Sequence, residues 1–267
     1  MLASRRAAQT LLAIALLTSR HATAEPVTVR HAEGVLHGFL ILRDLDGTPL
    51  ADGDLIQTSQ GTRATTHLVF KFKDGSVHDE TAVYSQRRQF RLLSDHLVQK
   101  GPTFKRDVDM SIDATTGRVV VRYADEDGKQ KTETERLELR PDLANGLVLT
   151  LLKNVSSGAL PKSFSFVAAT PSPRQIKLDI SVAGRERFST GAMAREATHY
   201  VLKPDIGGIS GLLAPLVGKQ PPDSHVWILE GDVPAFVKSE QSLFLGGPIW
   251  RIELVTPTWP RAGTTQP

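Results

Sequence analysis

Apolar and polar residues alternate along most of the chain from Val35 onward. The alternation is clearest over residues 67–73, 107–113, 175–182 and 250–254, where apolar residues occupy every second position and mostly polar residues stand between them. A period of two is typical of a half-buried antiparallel strand, because successive side chains point to opposite faces. The chain contains about a dozen such segments, spaced closely enough for an all-β sandwich or barrel.

Glycine-containing pairs between these segments predict the turns. Asp74–Gly75 is a strong hairpin signal, since both turn positions must tolerate positive φ. Similar pairs stand at Thr116–Gly117, Asp127–Gly128 and Gly246–Gly247. The predicted fold class is therefore mainly β: a large antiparallel sheet curved into a half-barrel or a sandwich, with one or two short helices.

Two stretches depart from the strand pattern. Apolar residues from Leu143 to Asn154 recur at helical spacing, and Asp142 is placed to cap that helix. Residues 206–218 are apolar but contain four glycines and one proline, which predicts a short helical turn within a packed loop. We expect one β-rich domain over residues 25–267, with two β halves meeting near residue 160 as the alternative.

The first 24 residues have the pattern of a secretory signal peptide. Two arginines precede an apolar run over residues 7–17, and the stretch ends in Ala-Thr-Ala. The run is shorter than the ~20 residues that span a bilayer. We expect cleavage between Ala24 and Glu25 and an exported protein, periplasmic or secreted, with no transmembrane segment in its mature chain.

The composition of the chain bears on which classes of molecule the protein binds. The net charge is +3, but the chain after residue 24 holds 29 basic and 29 acidic residues. The pI of about 9.2 therefore does not imply a nucleic-acid partner, and basic patches with interleaved aromatic residues are absent. The chain has no cysteine, hence no disulfide and no lipidated cysteine.

The sequence contains no motif that identifies an enzyme. Its glycine-rich stretches lack the residues of a phosphate-binding loop or a nucleophile elbow. No histidine has the i, i+4 spacing or the neighbouring cysteine of common zinc sites. We therefore assign no catalytic residue, no metal ligand and no cofactor. A hydrolase with a site assembled from distant strands stays open as an alternative, because such a site leaves no local motif.

The densest group of acids and bases is His78-Asp79-Glu80. On a strand, His78 and Glu80 point one way and Asp79 the other, so the three side chains cannot converge. His78 with Glu80 is a candidate base and orienter, although an exposed salt bridge is the preferred interpretation. His96 follows Phe90 by an even number of residues on the same predicted strand, so the two side chains share a face. This predicts that His96 is a core residue.

The segment from Asp125 to Arg140 is crowded with charges of both signs. The preferred interpretation is a solvated hairpin whose charges discourage pairing at the edge of a sheet. A docking surface is the alternative.

Large aromatic residues fall in predicted strands, several on the same side as aliphatic residues. A core explains them, but a curved sheet could also leave some of them lining a cavity for an apolar ligand. The candidate ligand-lining residues are Phe70, Phe72, Phe90, Phe164, Phe166, Trp227 and Trp250. The candidate residues of a lid, or of a loop that contacts a membrane, are Ile209, Leu212, Leu213 and Leu216.

Two stretches of the chain resemble an uncharacterised family of exported bacterial β-rich proteins. One runs from Phe70 to Gly101 and includes Phe-Lys-Phe-Lys-Asp-Gly-Ser; the other runs from residue 206 to Glu253 and includes Gly-Gly-Pro-Ile-Trp-Arg-Ile-Glu. The family implies no activity. The order of elements after a signal peptide also resembles that of periplasmic lipoprotein carriers, which implies an incomplete β-barrel closed by helices over an apolar cavity.

These observations predict a soluble periplasmic protein that binds a lipid or another apolar or amphiphilic ligand without catalysis. The alternatives are an envelope hydrolase with a dispersed active site and a structural or interaction module of the cell envelope. The sequence names neither the ligand nor the oligomeric state.

Overall fold

A computed structural model of the protein describes residues 26–125, 127–156, 158–190, 193–205 and 221–255. The predicted signal peptide and the four candidate lid residues lie outside these ranges, so what the sequence predicts for them stays a prediction.

The described residues form fourteen strands and one helix. In chain order these are β1 (Leu36–Arg43), β2 (Pro49–Gln60), β3 (Arg63–Phe72), β4 (Val77–Gln86), β5 (Phe90–Lys100), β6 (Val108–Asp113), β7 (Arg118–Ala124), β8 (Gln130–Arg136), α1 (Val148–Asn154), β9 (Ser163–Ala168), β10 (Arg174–Thr190), β11 (Met193–Asp205), β12 (Ser224–Leu229), β13 (Ala235–Gln241) and β14 (Trp250–Leu254).

All fourteen strands belong to one antiparallel sheet, which confirms the predicted fold class. The strand order is β8-β7-β6-β5-β4-β3-β2-β1-β14-β13-β12-β11-β10-β9. Strands that pair in the sheet are consecutive in the chain except for β1 and β14, so two meanders, β1–β8 and β9–β14, join at the middle of the sheet. The strands on either side of residue 160 therefore share one sheet.

The two edges of the sheet are protected in different ways. At β8 every residue is exposed and most are charged or hydroxyl-bearing, which confirms the predicted solvated hairpin. At β9 the chain itself covers the edge, because the Ala144 N–H donates to the Ser165 carbonyl at 2.8 Å. The Asn145 side chain also bonds both backbone groups of Val167, at 2.9 and 2.8 Å.

The chain that connects β8 to β9 fills the inner side of the sheet. A sheet this wide encloses more space than its own side chains occupy. Residues 142–154, which we call the plug, include α1 and insert buried aliphatic side chains against both meanders. Inward side chains of both meanders pack against the plug, and we call this group the helix cluster because it surrounds α1. It includes Tyr84, Phe90, Met110, Ile112, Val121, Phe164, Ile180, Tyr200, Leu202 and Ile228.

A second cluster lies at the end of the sheet where β3 ends and β14 begins. Here Phe72 meets Phe104 edge-on, with ring centroids 5.6 Å apart, and meets Trp250 at 5.5 Å. We call this the aromatic cluster; its buried members are Leu40, Leu42, Ala51, Phe70, Phe72, Phe104, Trp250 and Ile252.

The predicted start of the helix is wrong. Gly146 has a φ of +63°, in the left-handed region, so the right-handed helix begins only at Val148. The preceding residues pair with β9 instead. Asp142 therefore does not cap a helix; its carboxylate accepts a hydrogen bond from the Ser165 hydroxyl at 2.9 Å.

The predicted core position of His96 is also wrong, because β5 contains a bulge. Val83 pairs with Ser94 but Tyr84 pairs with Leu92, which leaves one extra residue in β5. One extra residue inverts a two-residue period. His96 consequently faces outward, with its Nε2 3.1 Å from the Asp109 carboxylate, while residue 95 faces inward.

We expect Gly146→Ala to lower the free energy of unfolding by about 2–4 kcal/mol. A methyl group at this position would lie 2.5 Å from the Ala82 Cβ and 3.0 Å from an Asp95 carboxyl oxygen, on a backbone that already disfavours alanine. Urea denaturation measures the loss.

The matched control is Gly61→Ala. Gly61 has nearly the same φ, +61°, but an added Cβ would meet nothing within 4 Å, so only backbone strain of about 1–2 kcal/mol is expected. Equal losses in the two variants would contradict the close packing of the plug against β4 and β5.

Candidate functional site

The inner face of β1–β7 is built of rows that take one residue from each strand. The middle row contains one ionisable side chain, Glu80, between its direct cross-strand partners Leu68 and Leu97. Part of Glu80 reaches solvent. In strand order the row reads Gly38, Leu55, Leu68, Glu80, Leu97, Met110 and Val121.

The two neighbouring rows each place one more ionisable group beside Glu80. His78 lies on the same face of the same strand, two residues away, and pairs across with Gln99. Asp95 pairs across with Ala82, which makes it a diagonal neighbour of Glu80. A small polar site of two carboxyls and an imidazole therefore interrupts an apolar inner face.

Asp95 lies directly under the plug. Only 1% of the residue is exposed, and neither carboxyl oxygen has a hydrogen-bond partner among the described residues. Burial raises the pKa of Asp95 well above its ordinary value, and the nearby Glu80 carboxylate adds to the shift. Asp95 therefore keeps its proton to a higher pH than an ordinary carboxyl does.

Glu80 stands in the row next to Asp95, and part of the residue reaches solvent. Desolvation of its carboxyl raises the pKa of Glu80 from 4.5 to about 7. Close to neutral pH this group is thus divided between its acid and carboxylate forms. Because the Glu80 carboxylate disfavours ionisation of Asp95, the pair carries one negative charge more readily than two.

His78 is buried as a neutral base. The Gln99 side-chain amide donates to His78 Nδ1 at 3.0 Å and to the Leu243 carbonyl at 2.7 Å. His78 Nε2 has no partner among the described residues, and the residue is 4% exposed. Burial lowers the pKa of His78 to about 4, against a smaller opposing effect of Asp79. At neutral pH, Nε2 therefore carries a proton that it donates to nothing described.

The sequence correctly predicts the directions of these three side chains. His78 and Glu80 face inward, and Asp79 faces outward with its carboxylate 3.0 Å from His67 Nε2. The preferred interpretation of His78 and Glu80 as an exposed salt bridge is wrong. His78 is buried, and the partner that orients it is the Gln99 amide, not a carboxylate.

The candidate ligand-lining residues separate into several environments. Phe70, Phe72 and Trp250 belong to the aromatic cluster. Phe90 and Phe164 belong to the helix cluster. Phe166 is partly buried on β9.

Trp227 points to the outer face of the sheet. Its ring stacks on the His199 ring with centroids 4.1 Å apart, and Lys238 Nζ lies 4.0 Å from its centroid. The structure therefore does not bring Trp227 to the inner face with the other candidates.

Sequence reasoning missed Asp95 and Gln99, although it identified His78 and Glu80. Both missed residues follow the bulge in β5, and the period of two read from Phe90 places them on the outer face. One signal in the sequence could have found them. The apolar residues of this segment change from even positions, Phe90 and Leu92, to an odd position, Leu97, which indicates that the alternation shifts by one residue.

An apolar surface on the inner face extends from Glu80 toward β14. Leu36 is 42% exposed and Leu254 is 45% exposed. A Cβ at Gly38 would lie 3.5 Å from a Leu254 methyl carbon and 3.9 Å from the Leu55 Cβ, so these residues form one continuous floor. We call Leu36, Gly38, Leu55 and Leu254 the inner patch. Leu68 connects it to Glu80.

The comparisons with known proteins assign no role to any residue of this site. No family model and no curated protein matches the chain. Among solved structures it is similar to a β-barrel-like protein of domain of unknown function DUF1849 from Brucella abortus, with 11% sequence identity and a TM-score of 0.47. That similarity covers 84% of this chain and 98% of the other.

No helix within the described ranges is long and apolar enough to cross a membrane. No three histidine or acidic side chains there are grouped so that they could hold a metal ion.

We expect Glu80→Gln to stabilise the protein by an amount that grows between pH 5 and pH 8. The pKa of Glu80 is about 7 in the folded protein and 4.5 ordinarily, so the folded state binds more protons in this interval. Its carboxylate therefore costs stability as the pH rises, and glutamine removes that cost. Urea denaturation of both proteins at four pH values measures the difference.

The control is Asp79→Asn, which removes an outward carboxylate from the same strand. His78 remains in every protein compared, and its own pH dependence has the opposite sign. Asp79→Asn removes a charge that raises the pKa of His78, so the stability change expected from this control differs in sign from that of Glu80→Gln: a loss toward low pH rather than a gain toward high pH. A Glu80→Gln effect that stays constant from pH 5 to pH 8 would contradict the raised pKa.

Proposed function

We propose that the protein binds a single-chain amphiphile on the inner face of its sheet, without catalysis. The aliphatic chain lies over the inner patch, and the polar group lies at Glu80. The observation that carries this proposal is the exposure of Leu36 and Leu254 on the same face as the buried clusters, next to a carboxyl in an otherwise apolar row.

The inner patch suits an aliphatic chain. A Cβ added at Gly38 would meet only aliphatic carbon atoms, a Leu254 methyl carbon at 3.5 Å and the Leu55 Cβ at 3.9 Å. Each methylene group removed from water on such a surface contributes about 0.8 kcal/mol. A chain of about ten carbons, partly covered, therefore gains enough to offset its loss of freedom.

Binding without catalysis fits the state of His78. With a pKa of about 4, it is a weak base at neutral pH, and its Nδ1 is already engaged by the Gln99 amide. The imidazole of the inner site is thus a poor general base and serves as a fixed polar group.

The proposal includes export to the periplasm or the exterior and a carrier role. Its support is the signal-peptide pattern of the first 24 residues and the resemblance in element order to periplasmic lipoprotein carriers. A lipid or a related envelope amphiphile is then the natural ligand class.

We expect Gly38→Val to weaken binding of 1-decanol by at least tenfold. The valine side chain would occupy the floor of the inner patch, and its β-branched shape suits a strand, so the variant should fold. Displacement of the neutral fluorescent probe N-phenyl-1-naphthylamine measures the affinity.

Phe39→Ala serves as the control. Phe39 is 41% exposed but faces outward on the same strand, so its loss should leave decanol binding unchanged. Failure of the parent protein to bind decanol, or an undiminished affinity in Gly38→Val, would contradict the proposed function.

A further inference from the structure

The two inner carboxyls have no counter-charge in the described part of the chain. The ion pairs found there engage other acids, and neither Glu80 nor Asp95 takes part in one. The charged side chains of the plug already have partners. Asp142 lies 3.4 Å from Arg140 Nε, and Lys153 Nζ lies 2.5 Å from the Glu33 carboxylate.

The remaining titratable neighbours on the inner face of β4 supply no positive charge. His78 is neutral near pH 7. Tyr84 is also neutral, since burial raises the pKa of its hydroxyl, which donates to Gln57 Oε1 at 3.3 Å. A negative charge on Glu80 is thus uncompensated among the described residues, in a low-dielectric surrounding where a missing counter-charge matters most.

Two buried groups at the site lack hydrogen-bond partners. Both oxygens of Asp95 and the Nε2 of His78 are unpartnered, in residues that are 1% and 4% exposed. Buried polar groups in folded proteins are otherwise nearly all satisfied. Glu80, whose row lies between those of His78 and Asp95, is the member of the site that reaches solvent.

We propose that the polar group of the bound amphiphile is a cation, the ammonium of a long-chain aliphatic amine, held at the Glu80 carboxyl. This inference rests on the proposed function and specifies its ligand. An ammonium has three N–H donors, and a carboxylate accepts such charge-assisted hydrogen bonds strongly. The unpaired His78 N–H is left for an oxygen of the ligand or of a water beside the amine.

The charge balance supports a monocation. Burial and the Glu80 carboxylate both disfavour ionisation of Asp95, so the pair carries one negative charge more readily than two. An ammonium beside Glu80 would favour the carboxylate form of that residue, so binding should release a proton and strengthen as the pH rises from 6 to 8. An anionic amphiphile beside Glu80 would favour the neutral acid, so its binding should take up a proton and weaken as the pH rises.

The test compares three ten-carbon ligands that differ in their polar group: decylammonium, 1-decanol and decanoate. Displacement of N-phenyl-1-naphthylamine from the parent protein and from Glu80→Gln gives their affinities at pH 6 and pH 8. We expect decylammonium to bind the parent at least tenfold more tightly than decanol at pH 8. In Glu80→Gln that preference should disappear while decanol binding is kept.

Asp79→Asn, which removes an outward carboxylate from the same strand, should keep the full preference for the amine. Circular dichroism checks that each variant is folded, and Glu80→Leu, which completes the apolar row, replaces Glu80→Gln if that variant does not fold. Decanol binding with no preference for decylammonium would overturn this inference and leave the proposed function intact, as would tighter binding of decanoate. Absence of binding by all three ligands would overturn both.

Discussion

The inner side of the sheet has to be filled, and the rest of the structure depends on how the chain fills it. Fourteen strands enclose more space than their own inward side chains occupy, so the connection between the two edge strands enters that space as the plug. Its far end is anchored to the segment before β1. Asn154 Oδ1 accepts hydrogen bonds from the backbone N–H groups of Arg30 and His31, at 2.9 and 2.7 Å.

The plug covers only part of the inner face, and this sets the location of the candidate site. Asp95 lies beneath it, Glu80 stands in the neighbouring row, and the inner patch continues that row toward β14. The same side chains would be an ordinary core under a longer plug and a solvated surface without one. Desolvation gives the Glu80 carboxyl a pKa of about 7, while part of the residue still reaches solvent.

Much of the sheet follows from the period of two in the sequence, since each face of a strand meets one environment over its whole length. Trp250 and Ile252 point inward as their alternation predicts, and Gly75 takes the positive φ that its turn requires. The predictions fail where one residue interrupts a regular period in the sequence. The extra residue in β5 moves Asp95 inward and His96 outward, and the left-handed Gly146 delays the helix.

The polar site could be predicted in part for the same reason. His78 and Glu80 stand on one regular strand, so parity alone places them together. Their neighbours Asp95 and Gln99 come from a strand whose phase changes, and burial under the plug depends on a contact between segments about fifty residues apart. No local pattern encodes that contact.

The most direct measurement of where the amphiphile binds is NMR of the protein with labelled leucine methyl groups, titrated with decylammonium. The account predicts shift changes and ligand contacts at Leu36, Leu55 and Leu254, on the inner face between the plug and β14. The account would be contradicted if the inner leucine methyl signals did not shift and the ligand contacted only the outer face, around Phe39 and Ile56.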